Sequence, residues 1–247
     1  MFIKQQGQGK PLILLHGWGF NGDIWNDIAP ELAKNWLVYQ VDLPGHGKSP
    51  ISEYSLPILT KQLMNELPSD AVWIGWSLGG LLAMNIAIQQ QIRGLVLIAT
   101  SPRFTTAENW PHAMTAEVLQ QFSNQLKTDT NSTLRRFLAL QVRGCDNSRQ
   151  QLRNLNSFLT NPPLAIALES GLQLLQTTDL RSKLQQIDCL SLLCLGKRDK
   201  IVPFEVGNDF QWKMLRKTVI KLASHIPFLS HQEIFMDILQ DFLRDLN

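Results

Sequence analysis

Gly75-Trp76-Ser77-Leu78-Gly79-Gly80 decides how this chain folds. It sits between an apolar run, Ala71–Gly75, and a stretch with helical spacing of apolar residues, Leu78–Gln90. G-x-S-x-G in that setting is a sharp strand-to-helix turn: the serine takes strained backbone angles, and glycines two positions either side let strand and helix cross closely. Such a turn lifts the Ser77 hydroxyl above a sheet, and the helix N-terminus behind it offers aligned N–H groups to a developing negative charge. The competing reading is a helix-capping serine flanked by glycines by coincidence.

Outward from this turn, short apolar runs alternate with amphipathic stretches. Pro11–Leu15, Trp36–Asp42, Ala71–Gly75 and Gly94–Ala99 read as buried strands, and Ile24–Lys34, Leu56–Leu67 and Leu78–Gln90 as helices. Continuous apolar strands separated by helices indicate a parallel sheet covered on both faces. From residue 103 the strand signal stops, and Ala116–Leu126, Thr133–Val142, Arg149–Leu159 and Leu164–Gln176 have helical spacing. Strands return at Cys189–Leu195 and Thr218–Ala223, and Ser230 with Glu233 forms a capping-box signature for a last helix. The expectation is an α/β fold with a mostly parallel central sheet. Residues 1–102 and 179–247 form its core, and 103–178 form a helical cap inserted in it.

A serine hydroxyl needs a base to take its proton and a carboxylate to orient that base. With a strand-to-helix serine these follow in the order serine, acid, histidine, on loops after later strands. Of five histidines, His16 and His46 precede Ser77 and His112 falls in the helical insert, leaving His225 and His231. His225 directly follows a strand, whereas His231 stands in the first turn of a helix, so His225 is the expected base. Asp199, after the Cys189–Leu195 strand, is the expected acid, ahead of Asp209. The N–H groups of Leu78 and of Trp18, in the loop His16-Gly17-Trp18-Gly19, are the expected oxyanion donors.

One rival must be weighed. Gly17-Trp18-Gly19-Phe20-Asn21-Gly22 matches G-x-G-x-x-G between a strand and a helix, and Asp42 falls twenty residues past Gly22. That is a dinucleotide-binding pattern. Against it, the Trp18 indole sits where a pyrophosphate should pass, and the reading leaves Ser77, Asp199 and His225 unexplained.

Composition narrows the remaining classes. With 247 residues, 44% of them hydrophobic and 18% charged, the chain can bury one sizeable core. A formal net charge of +2 gives no argument for nucleic-acid binding. Cys145, Cys189 and Cys194 cannot all pair and lack zinc-site spacing, so no metal or other cofactor is expected. No run approaches the roughly 18 apolar residues of a membrane span, and MFIKQQGQGK does not look like a secretion signal. A cytoplasmic monomer is expected.

The segments His16–Gly19, Asp42-Leu43-Pro44-Gly45-His46-Gly47-Lys48-Ser49 and Gly75–Gly80 together resemble the α/β-hydrolase superfamily. More narrowly, Gly-Trp-Ser-Leu-Gly-Gly, Thr100-Ser101-Pro102 with Trp110-Pro111, Arg136 through Gln141, and His225-Ile226-Pro227-Phe228 resemble the pimeloyl-[acyl-carrier-protein] methyl ester esterases of biotin synthesis. The resemblance implies a serine carboxylesterase with Ser77, Asp199 and His225 as its triad. It implies substrate contacts at Trp18, Leu78, Phe137, Leu138, Ala139, Leu140 and Gln141, and an acyl carrier protein bearing the pimeloyl methyl ester as partner. Carrier proteins are acidic, and between Ser132 and Arg153 five arginines face one aspartate, with Arg136, Arg149 and Arg153 as candidate contacts. Trp76, Trp110, Phe137 and Leu140 are candidates to line an acyl channel. Other reactions on the same triad, such as thioester or C–C bond hydrolysis, and a non-catalytic ligand receptor remain as alternatives.

Overall fold

The computed structural model describes residues 1–160, 162–209 and 211–246, and of residues 159 and 160 the backbone alone. Seven strands form one sheet: β1 (Phe2–Gln6), β2 (Pro11–Leu15), β3 (Leu37–Asp42), β4 (Val72–Trp76), β5 (Gly94–Ile98), β6 (Ser191–Gly196) and β7 (Leu215–Ile220). Their order across the sheet is β1-β3-β2-β4-β5-β6-β7. All neighbours run parallel except β1, which pairs antiparallel with β3. The chain leaves β2 toward β3, then returns across β2 to lay down β4 on its other side. The crevice beyond the C-terminal ends of β2 and β4 is therefore the topological switch point, where open parallel sheets bind ligands.

Side chains alternate between the faces of the sheet with the period-two rule of strands. Ile13, Leu15, Trp73, Leu95, Leu97, Leu193 and Leu195 pack on one face, beneath α2 (Leu56–Glu66) and α3 (Leu78–Gln89). Leu12, Leu14, Val72, Ile74, Val96, Ile98, Leu192 and Cys194 pack on the other, with α1 (Ala29–Leu32) and α9 (Gln232–Arg244). The α3 helix is buried continuously from Leu78 to Ala87. By contrast α9 buries one stripe, Phe235, Met236, Leu239, Phe242 and Leu243.

Between β5 and β6 the chain builds α4 (Ala116–Thr128), α5 (Thr130–Gln141), α6 (Ser148–Asn156) and α7 (Ala165–Thr177). The α5 helix joins both cores: Leu134 and Phe137 belong to the α3 side, Leu138 to the α9 side. A short helix, α8 (Pro227–Ser230), precedes α9.

Four local expectations need correction. Strand β1 was not foreseen from its half-polar sequence. The stretch Ile24–Lys34 is not one helix but a 3-10 turn, Gly22–Trp25, followed by α1, because Pro30 cannot donate an N–H within a continuous helix. Strand β7 lies three residues earlier than Thr218–Ala223. The Ser230–Glu233 capping box does not form: Ser230 Oγ donates to Ile226 O at 3.0 Å, and His231 holds the N-cap position of α9. Among the described residues no helix is long and apolar enough to cross a membrane.

Candidate active site

Ser77 stands between β4 and α3 with φ 53° and ψ −116°, a left-handed conformation costly for any residue with a Cβ. Its N–H donates to Ile98 O (2.9 Å), and its carbonyl accepts from Thr100 Oγ1 (2.7 Å). The flanking glycines make the bend possible. A Cβ on Gly75 would lie 2.4 Å from Gly79 O, one on Gly79 would lie 2.4 Å from Leu15 O, and one on Gly80 would overlap Thr100. Gly17 brings the loop after β2 directly onto the serine: a Cβ there would be 3.2 Å from Ser77 Cβ.

Asp199 and His225 approach from the ends of β6 and β7. His225 Nδ1 and Asp199 Oδ2 are 2.7 Å apart, and both side chains are wholly buried. A carboxylate partner makes Nδ1 the protonated nitrogen, so Nε2 presents a lone pair; it is buried and without a hydrogen-bond partner. The second carboxylate oxygen accepts from the N–H groups of Ile201 (2.8 Å) and Val202 (3.0 Å), which fixes the orientation of Asp199. The His225 backbone is held on both sides. Its N–H donates to Gln141 O (3.1 Å), and its carbonyl accepts from Trp76 Nε1 (2.8 Å). Trp76 is the immediate neighbour of Ser77, and its ring lies 5.7 Å from the His225 ring. His225 is thus tied to the residue before Ser77. Gly196 permits the crossing of the two loops, since a Cβ there would lie 2.1 Å from Ser224 O.

The competing candidates lie elsewhere. His112 Nδ1 and Asp209 Oδ2 pair with each other at 3.0 Å, and His231 bonds Ser230 at 2.9 Å. His16 and His46 are buried with rings 5.0 Å apart. Burial lowers the His16 pKa to about 4, while burial together with the neighbouring His16 lowers that of His46 to about 3. His16 Nε2 accepts from Leu43 N (3.0 Å) and its Nδ1 meets Gly17 O (2.8 Å), so this neutral imidazole shapes the loop beside Ser77. The dinucleotide pattern is occupied by the fold itself. Asp42 accepts from Gly22 N (2.7 Å) and Lys48 N (2.8 Å), one bond to each oxygen.

Trp18 turns its buried indole toward the inserted helices: Nε1 donates to Leu168 O (2.8 Å), and the ring meets Phe137 edge-on at 4.7 Å. Of the stretch Phe137–Gln141, Phe137, Leu138 and Gln141 are buried, Leu140 is half-buried and Ala139 is exposed. Neither end of the Gln141 amide has a partner. Trp110 belongs to the same buried cluster as Trp18 and Phe137, its indole donating to Arg103 O (3.0 Å). Arg136, Arg149 and Arg153 are exposed. Arg136 donates to Gln125 (3.0 Å) and lies over the Phe122 ring, and Arg153 bonds Gln150 on its own helix. Sequence reasoning missed the Trp76 indole and the Gln141 carbonyl as supports of His225. The first was accessible, as Trp76 is inside the motif; a carbonyl has no side-chain signature. Among the described residues no group of three or more His, Cys, Asp or Glu could hold a metal ion.

A family model described as the α/β hydrolase fold matches residues 10–232. The pimeloyl-[acyl-carrier protein] methyl ester esterase of Aeromonas hydrophila subsp. hydrophila is 38% identical over 98% of both chains. The protein of the same name from Edwardsiella ictaluri is 41% identical, covering 98% of this chain and 96% of that one. Among solved structures, an esterase from Exiguobacterium antarcticum superposes with a TM-score of 0.90 over 98% of this chain and 95% of that chain. At 22% identity it speaks for the fold alone.

Proposed function

The chain belongs to the α/β hydrolase fold family, and from that premise we propose that it is a serine carboxylesterase acting on the methyl ester of a pimeloyl chain carried by acyl carrier protein. One observation carries the chemistry. The 2.7 Å bond from His225 Nδ1 to Asp199 leaves Nε2 as a buried free base, on a loop tied to Trp76 beside the nucleophile turn. The substrate is supported by the nearly full-length relatives that bear that name.

In this reading His225 Nε2 takes the Ser77 proton as Ser77 Oγ attacks the ester carbonyl. The oxyanion is held by the N–H groups of Leu78, first in its helix and so without an intrahelical acceptor, and of Trp18. The tetrahedral intermediate collapses as His225 returns the proton to the methoxy oxygen, and methanol leaves. Water, deprotonated by His225, then attacks the Ser77 ester, and His225 returns that proton to Ser77 Oγ as the free acid leaves. Asp199 keeps the imidazole in the tautomer this cycle needs and steadies the imidazolium formed in it. Nothing here requires a cofactor.

Residues 103–178 act in this proposal as a cap over the strand ends. Trp18 and Phe137 form part of the acyl-binding wall, with the unpartnered Gln141 amide available to a polar group of the substrate. Arg136, Arg149 and Arg153 meet the acidic carrier. The test is methanol release from carrier-bound pimeloyl methyl ester, with restored growth without biotin in a strain lacking this esterase. Wild type should succeed in both and Ser77→Ala in neither. Growth rescue by Ser77→Ala, or hydrolysis of simple esters without any of the carrier-bound one, would refute the assignment.

A further inference from the structure

The turn between α5 and α6 is joined to both loops that carry the acid and the base. On the acid side, Arg198 Nη1 donates to Gly144 O (2.8 Å) and to Asp146 Oδ1 (2.6 Å). Gly144 has φ +94°, a conformation glycine adopts without strain, and a Cβ there would lie 3.3 Å from Arg198 Cβ. On the base side, Ser224 Oγ donates to Arg143 O (3.1 Å) and His225 N to Gln141 O (3.1 Å). The two loops also meet each other, Arg198 N donating to Ala223 O at 2.9 Å. The residues next to Asp199 and His225, and His225 itself, are therefore gripped by carbonyls of one short run, Gln141 to Gly144.

We propose that Arg198 is a positioning residue: by clamping the α5–α6 turn it holds the acid loop in register with the base loop, so that Asp199 aims the His225 ring at Ser77. The proposal rests on the triad assigned above. Its physical basis is leverage rather than stability. The Arg198–Asp146 pair is partly exposed, with side chains 35% and 65% accessible, and such pairs add little to folding. Alignment is more sensitive than stability, since a misplacement of about 1 Å can cost about a hundredfold in rate. The clamp also makes the base depend on the seating of α5 and α6, the helices that carry Arg136, Arg149 and Arg153.

The experiment compares Arg198→Ala, Arg198→Lys and a control at the opposite end of β7, Arg216→Ala, whose partner Asp245 follows α9. Steady-state hydrolysis of p-nitrophenyl butyrate separates kcat from KM, and the downfield proton NMR signal of the His225 Nδ1–H reports its bond to Asp199 without turnover. Arg198→Ala should lose about tenfold in kcat with KM within about twofold. Its Nδ1–H signal should shift or broaden, Arg198→Lys should recover most of the rate, and Arg216→Ala should match wild type. A wild-type kcat and an unmoved signal in Arg198→Ala would overturn the proposal, as would an equal loss in Arg216→Ala. Full activity in Ser77→Ala would refute the triad instead, and the proton signal would still decide whether Arg198 orders the His225–Asp199 pair.

Discussion

Replacing Gly79 by alanine sets two physical effects against each other. Gly79 is the second residue of α3, and in a helix alanine is favoured over glycine by about 1 kcal/mol. Yet its added Cβ would lie 2.4 Å from Leu15 O, 2.6 Å from His16 O and 2.7 Å from Leu15 C. A carbon normally approaches a carbonyl oxygen no closer than about 3.3 Å, so α3 must withdraw from the end of β2 by about 0.9 Å. The obstacle is backbone, which cannot rotate away as a side chain can. Overpacking of this kind costs about 1–3 kcal/mol, which outweighs the gain in helix propensity. The shift also separates Ser77 and the Leu78 N–H from the His16–Trp18 loop, the two halves of the proposed oxyanion site. A displacement near 1 Å there should lower kcat about a hundredfold. Urea unfolding and p-nitrophenyl butyrate hydrolysis of Gly79→Ala measure the two effects separately. A variant as stable as wild type or more so, with undiminished kcat, would refute the close-crossing argument.

Three further outcomes follow from the geometry. Because His16 and His46 are buried neutral, with pKa values of about 4 and about 3, the unfolded chain binds more protons than the native one below pH 6.5. Their contribution is complete above that pH and shrinks as pH falls, together by about 4 kcal/mol between pH 7 and 5, and His46→Asn should roughly halve the slope in urea unfolding; a flat profile would contradict this. Trp76→Phe removes the indole donor to the His225 carbonyl while keeping an aromatic ring, so it should cost about 1–3 kcal/mol in stability and lower kcat more than it raises KM. Reversing Arg149 and Arg153 to glutamate should raise KM for the carrier-bound ester at low salt and leave p-nitrophenyl butyrate untouched, with equal effects on both substrates speaking against a partner surface.

Much of this site is legible because its signals are local. The Gly75–Gly80 motif announces its own backbone geometry, and the strand before Asp199 is a continuous apolar run that only a central strand could bury. The fold is readable for the same reason: β2, β4, β5 and β6 are buried along nearly their whole length. The edges are different. Strand β1 pairs on one side only and exposes Lys4 and Gln5, so its sequence reads as a polar tail. Strand β7 exposes Arg216, Lys217 and Val219, while the more apolar Leu222-Ala223 belongs to the loop that crosses Gly196. Pro30 shows a periodic pattern yielding to a missing donor. Least legible are the supports made by main chain. The Gln141, Arg143 and Gly144 carbonyls steady His225, Ser224 and Arg198 across long stretches of sequence, and any residue could supply a carbonyl.

The central claim is that the Ser77 hydroxyl is activated by His225. The rate at which a fluorophosphonate modifies the protein, followed by intact mass with the adduct located by peptide mapping, tests it most directly. A single adduct on Ser77 is predicted, slowed at least about a thousandfold in His225→Ala. Labelling of Ser77 at the same rate with or without the His225 imidazole, or an adduct on another residue, would contradict it.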